Sequence, residues 1–176
     1  ELEDEVAFES VRRLVEYEDY MLRVFRDAEI RGVQARGIVE LEPEREYLLM
    51  MTFLERAEET GEDATLSDAA IDDGLRIVRG LWDHGLAHRD IKPGNVLARG
   101  DEVYLIDVAF GQMRPSGWRQ VVDLANMMLV LGLASDAERV YARAAEVFDP
   151  DEIGEAFGET RIGDDAFIGS NSSLVA

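Results

Sequence analysis

The sequence predicts an α+β fold, mostly helical, with its strands gathered in two hairpins. Three observations predict it. Apolar residues recur at helical spacing between Val6 and Ala28. A second stripe, Ile71, Leu75, Val78 and Leu81, follows a helix-start signal at Thr65-Leu66-Ser67-Asp68. Short apolar runs flank turn residues twice, at Glu42-Pro43-Glu44-Arg45 and at Arg99-Gly100-Asp101.

The first helix carries Val11, Leu14, Val15, Met21, Leu22, Val24 and Phe25 as its stripe. Strands follow from Val33 to Leu41 and from Tyr47 to Leu54, with Pro43 at a favoured turn position. The next helix ends at His84-Gly85, since a glycine just past the last turn stops a helix without strain. Val96-Leu97-Ala98 and Val103-Tyr104-Leu105-Ile106 form the second hairpin. The run Met127 to Leu133 is apolar, but a bilayer needs ~20 residues, so it reads as a core helix. Ala134 to Val147 is amphipathic, and Asp149-Pro150-Asp151-Glu152-Ile153 has the acidic and proline marks of a further helix start. No signal peptide or membrane span is recognisable in the chain as given.

At 176 residues the chain can bury a sizeable core, and 47% apolar content is ordinary for a globular protein. Cysteine is absent, which removes disulfides, thiolate metal sites and a Cys nucleophile. The net charge of −20 repels a phosphate backbone, so nucleic acid is not the expected partner. It favours solubility and suits a high-salt setting that screens self-repulsion, but the plainer alternative, a solvated acidic surface with no meaning for a partner, fits better. Lys92 is the only lysine.

The densest chemistry lies in His88-Arg89-Asp90-Ile91-Lys92-Pro93-Gly94-Asn95, followed by Leu105-Ile106-Asp107. These residues supply what phosphoryl transfer from a nucleotide requires. Asp90 is the candidate base that orients and deprotonates a hydroxyl. The Asn95 amide oxygen and the Asp107 carboxylate are hard ligands suited to Mg2+ beside phosphates. Lys92 can set a point charge on the terminal phosphate. The hairpin between Asn95 and Asp107 would carry both into one site. The plainer alternative is that Asp90 and Asn95 cap a turn.

This pattern resembles that of the protein-kinase-like superfamily, H-R-D-x-K-x-x-N and then a metal-binding Asp after a hairpin. The resemblance implies ATP and Mg2+ as cofactors and an unidentified hydroxyl-bearing protein or small molecule as acceptor. It implies a partial small lobe at residues 1–54 and a mostly helical large lobe at 55–160. Glu18 looks like the helix glutamate that pairs with a strand lysine, with Glu16 as the alternative. Met51 would be the gatekeeper and Thr52, Phe53 and Leu54 the hinge whose backbone meets adenine. Leu97 and Ile106 would line the nucleotide site. His88 is implied as scaffold, and Asp123 as the aspartate that braces the loop backbone.

Departures from the family pattern bear on function. No glycine-rich loop precedes residue 90 and no lysine precedes Lys92, so the chain looks like a truncated domain whose N-terminal strands are absent. Val108-Ala109-Phe110-Gly111 stands where D-F-G continues, and no A-P-E lies between Asp107 and Asp123. That compact form resembles RIO, lipopolysaccharide and aminoglycoside kinases. The stretch Ser116 to Met127 is similar to the kinase-like part of bacterial lysylphosphatidylglycerol-synthase-like membrane proteins. The resemblance implies a cytoplasmic piece of a membrane-attached parent. Ile162-Gly163-Asp164-Asp165-Ala166-Phe167 and Ile168 to Ser173 resemble hexapeptide repeats of acyltransferases, but fewer than three turns bury no core. Residues 161–176 are therefore expected to be a tail, either a junction with unrelated sequence or a chance pattern. Two functions follow: an ATP- and Mg-dependent phosphotransferase, or a pseudokinase-like binding module without catalysis.

Overall fold

The computed structural model describes residues 10–43, 45–61 and 65–159, and the tail units fall outside them. Its architecture is α+β, with helices dominant and strands confined to small sheets. Helix α1 (Val11–Asp27) begins where the Ser10 side chain accepts the Arg13 N–H at 3.3 Å. Strands β1 (Ala35–Glu42) and β2 (Glu46–Met51) form an antiparallel pair across the turn at Pro43. β3 (Glu58–Glu59) leads toward α2 (Asp68–Asp83). The region from residue 86 to 105 holds β4 (Leu86–Ala87), a 3-10 turn at Pro93–Asn95, β5 (Val96–Arg99) and β6 (Glu102–Leu105). β7 (Gln112–Met113), α3 (Gly117–Leu133), α4 (Ala137–Ala144) and α5 (Pro150–Glu159) complete the order.

Helix starts follow side-chain capping. α2 is capped by Ser67, which accepts from Ala70 N–H at 3.1 Å, two residues later than Thr65 would place it. Its hydroxyl also donates to Asp101 at 2.6 Å, which fixes the choice of cap. Gly85 takes the left-handed conformation just past α2, as its position predicts. The helix expected from Ala134 starts instead at Ala137, because Asp136 accepts from Arg139 N–H at 2.8 Å. At α5 the Asp149 carboxylate accepts from Glu152 N–H while Glu152 accepts from Asp149 N–H, both at 2.9 Å. This is a reciprocal cap with Pro150 in the first turn.

The core is one cluster in which α2 and α3 are central: Ile71, Leu75, Val78, Leu81, Leu124, Met127 and Leu131 are fully buried. In α3 the expected core run is two-sided, with Leu129 and Leu133 exposed. The α1 stripe is buried only at its C-terminal half, through Met21, Leu22 and Phe25. Val11 and Leu14 are 49% and 41% exposed, while α1 as a whole packs beside the two-stranded β1–β2 sheet. The strands expected at 33–41 and 47–54 are observed at 35–42 and 46–51, so Thr52, Phe53 and Leu54 form a connector.

Main-chain contacts after α1 help stitch the N-terminal part to the helical body. The segment after α1 runs beside β6: Leu105 N–H donates to the Arg31 carbonyl at 2.9 Å, and Gly32 bridges Leu105. A Cβ on Gly32 would stand 2.3 Å from the Leu105 carbonyl oxygen, so glycine is required by proximity alone. Asp73 on α2 supports the same junction, accepting from Val103 N–H at 2.8 Å and pairing with Arg31.

Candidate active site

The site stands on a buried polar network. Asp123, fully buried on α3, accepts the main-chain N–H groups of His88 and Arg89 at 2.5 and 2.8 Å. Burial pushes its carboxyl up to about 7, while the two amide bonds favour the charged form. The fully buried His88 ring is held at both nitrogens. Nε2 lies 3.0 Å from the Ile106 carbonyl and Nδ1 lies 3.3 Å from Asp90 N. A carbonyl only accepts and an amide only donates, so the ring is neutral with its proton on Nε2. Burial accordingly depresses its pKa to about 4. One imidazole thus ties the residue after Arg89 to the residue before Asp107.

Arg89 and Asp107 both adopt left-handed backbone, with φ of 69° and 59°. Such residues cost about 1–2 kcal/mol each. The Asp123 bond to Arg89 N–H and the His88 bonds hold the strained backbone in place.

Above this base the motif side chains converge. Lys92 Nζ donates to Asp90 Oδ2 at 2.6 Å, and Asn95 Nδ2 donates to the same oxygen at 2.9 Å. Asn95 Nδ2 also donates to the Asp90 main-chain carbonyl at 2.9 Å, while the Asn95 main-chain carbonyl accepts from Ile106 N–H at 3.0 Å. Asp107 follows directly, with an exposed side chain. With the Asn95 amide nitrogen engaged twice, its oxygen is the atom left for a ligand. The charges of Asp90 and Asp107 both reach the His88 ring.

Glu18 comes to the same region from α1. It is half-buried, and its carboxyl is raised first by burial and then by the Asp107 charge. Glu16, the alternative, pairs with Arg12 at 2.7 Å on an exposed face. Among the described residues, α1 meets the segment beyond Asp107 through several side chains. Tyr17 OH donates to the Gly111 carbonyl at 2.6 Å, Tyr20 OH meets Met113 Sδ at 3.3 Å, and Met21 covers Gly111.

The residues expected to meet adenine are dispersed. Thr52, Phe53 and Leu54 line an open cavity of about 420 Å3 with Leu22, Phe25 and Leu105. Met51, Leu97 and Ile106 are not among its lining residues. Met51 pairs with Ala35 in the sheet and is exposed. Thr52 N–H donates to the Gln34 carbonyl at 2.9 Å, and its hydroxyl accepts from Gln34 N–H at 2.8 Å. That N–H is therefore engaged within the protein. Phe53, 85% exposed, is the connector residue most open to a ligand.

Sequence reasoning missed Asp73, Tyr17 and Gly111. Asp73 gave no signal, being one carboxylate among 38. Tyr17 adjoins Glu18 on the helix face already singled out. Gly111 was legible as part of Val108-Ala109-Phe110-Gly111, though not as the seat of α1.

No protein-family model matches the chain, and no curated protein matches it. Among the described residues no helix is long and apolar enough to cross a membrane.

Proposed function

We propose that this chain is the catalytic part of a protein-kinase-like phosphotransferase that moves the terminal phosphate of ATP to a hydroxyl of a protein or small molecule. The observation that carries this reading is the convergence of Lys92 and Asn95 on one oxygen of Asp90, with Asp107 one residue beyond the Ile106–Asn95 bond. Both donors take Oδ2, so Oδ1 is left to accept the proton of an acceptor hydroxyl. As the oxygen of the acceptor hydroxyl attacks the terminal phosphorus, the bond from that phosphorus to the β,γ-bridging oxygen breaks and ADP departs. Lys92, on a four-carbon stem with a half-exposed ammonium, can turn from Asp90 to the phosphate.

The donor set, one carboxylate from Asp107 and one amide oxygen from Asn95, fits Mg2+ shared with a nucleotide. When bound, the ion neutralises charge on the transferring phosphate. Use of ATP argues for the cytoplasm, with or without a membrane-attached parent.

A second reading, a nucleotide-binding or regulatory module without catalysis, is favoured by one observation: Glu18 faces the like charge of Asp107. The natural full-length protein should label an acceptor, or itself, from γ-labelled ATP with Mg2+. Asp90→Ala and Asp107→Ala should each lower labelling by about 100-fold or more. Full activity in both variants would falsify the role assignment. Nucleotide binding without any transfer would favour the module.

A further inference from the structure

We infer that Tyr17 is a positioning residue, whose hydroxyl holds the segment after Asp107 against α1 and so sets the Asp107 carboxylate. The inference rests on the phosphotransferase reading for its functional half and on geometry alone for its structural half. Asp107 lies between two fixed points. On one side Ile106 is bonded through its N–H to Asn95 and through its carbonyl to His88. On the other side Gly111 closes a turn, its N–H donating to the Val108 carbonyl at 2.8 Å. The Gly111 carbonyl takes the Tyr17 hydroxyl at 2.6 Å, a bond between groups 94 residues apart.

The contact is close because residue 111 has no side chain. A Cβ there would stand 2.9 Å from Met21 Cε and 3.0 Å from the Val108 carbonyl oxygen. α1 is therefore seated directly on main chain. Beyond Gly111 the chain enters β7, whose Gln112 and Met113 pair with Ala87 and Leu86 just before His88. Of these restraints, the Tyr17 bond is the one that ties a main-chain carbonyl of the segment to a side chain of α1, the helix that also carries Glu18. α1 and Asp107 are thereby held in one register.

Tyr17→Phe removes the hydroxyl and keeps the ring, so the helix should still pack. A hydrogen bond of this kind is worth about 1 kcal/mol, or roughly fivefold in a local opening equilibrium. Hydrogen exchange of the 108–113 amides, measured on the full-length protein without nucleotide, should accelerate by about that factor. Global melting should change little, and the Mg2+ concentration for half-maximal transfer should rise about threefold or more, beyond any change in kcat. Tyr20→Phe, which loses only an exposed contact to Met113, should leave both readouts near wild type. Unchanged exchange in Tyr17→Phe overturns the inference. Faster exchange with unaltered Mg2+ dependence reduces Tyr17 to a structural role and also overturns it. A wild-type protein that transfers no phosphate, yet shows faster exchange in Tyr17→Phe, ends the phosphotransferase reading while leaving the tie itself demonstrated.

Discussion

α2 and the β1–β2 pair carry comparable apolar patterns, yet the fold treats them differently. On α2, Ile71, Leu75, Val78 and Leu81 are completely buried among α3, α4 and the β5–β6 hairpin. On the β1–β2 pair, Val39 lies opposite Leu48, and Met50 shares their face; all three are exposed. α1 packs beside this sheet, and Leu49, on the other face, reaches the core. Pattern says which face of an element is apolar. Burial depends on whether another layer meets that face.

The contrast can be tested by substitutions ordered by expected size. Leu75→Ala should cost about 3–4 kcal/mol in chemical denaturation, the usual range for a leucine emptied from a closed core. A loss below about 1 kcal/mol would mean that α2 is not packed as described. Next comes His88. Its folded pKa of about 4 lies below the ordinary 6.5, so the stability it contributes is present above pH 6.5 and is lost as pH falls toward 4. The full difference is about 3 kcal/mol. Ring resonances followed by NMR should stay in the neutral form at pH 6; a midpoint near 6.5 would refute the buried neutral ring. Asp123 acts with opposite sign, since its raised pKa makes folding less favourable as pH climbs from 3.8 to about 7. The net slope of stability over this window should therefore be shallower than His88 alone would give.

Gly32→Ala sits at the border of the two regions and should cost about 1–3 kcal/mol, because the Leu105 carbonyl must give way. If melting is unchanged, the Gly32–Leu105 approach is not a firm joint. Leu48→Ser should be smallest, within about 0.5 kcal/mol, as for an exposed position. A loss above about 2 kcal/mol would show that this face is covered in solution.

Much of the helical body was legible in the sequence. The α2 stripe, the Gly85 stop, the Pro150 start and the Gly100 turn each express local chemistry that acts within a few residues. Ser67 displaced Thr65 as cap because Asp101, distant in sequence, takes its hydroxyl. The half-buried course of α1 was not legible, since periodicity is blind to how many layers surround a helix. In the site, Asp90, Lys92 and Asn95 were readable because a five-residue loop fixes their mutual reach. The engagement of the Thr52 N–H was not legible, because its partner, Gln34, belongs to a ladder that outruns the β1–β2 strands by one pair. Tyr17 and Asp73 act across 94 and 30 residues respectively, distances at which spacing carries no information.

Lys92, 2.6 Å from Asp90 and half-exposed, carries the sole ε-amine of the sequence. An acylating reagent delivered by a nucleotide would thus find a single lysine target in this chain. Under the proposed function its adduct, mapped by mass spectrometry, would report nucleotide bound beside Asp90 without any knowledge of the acceptor.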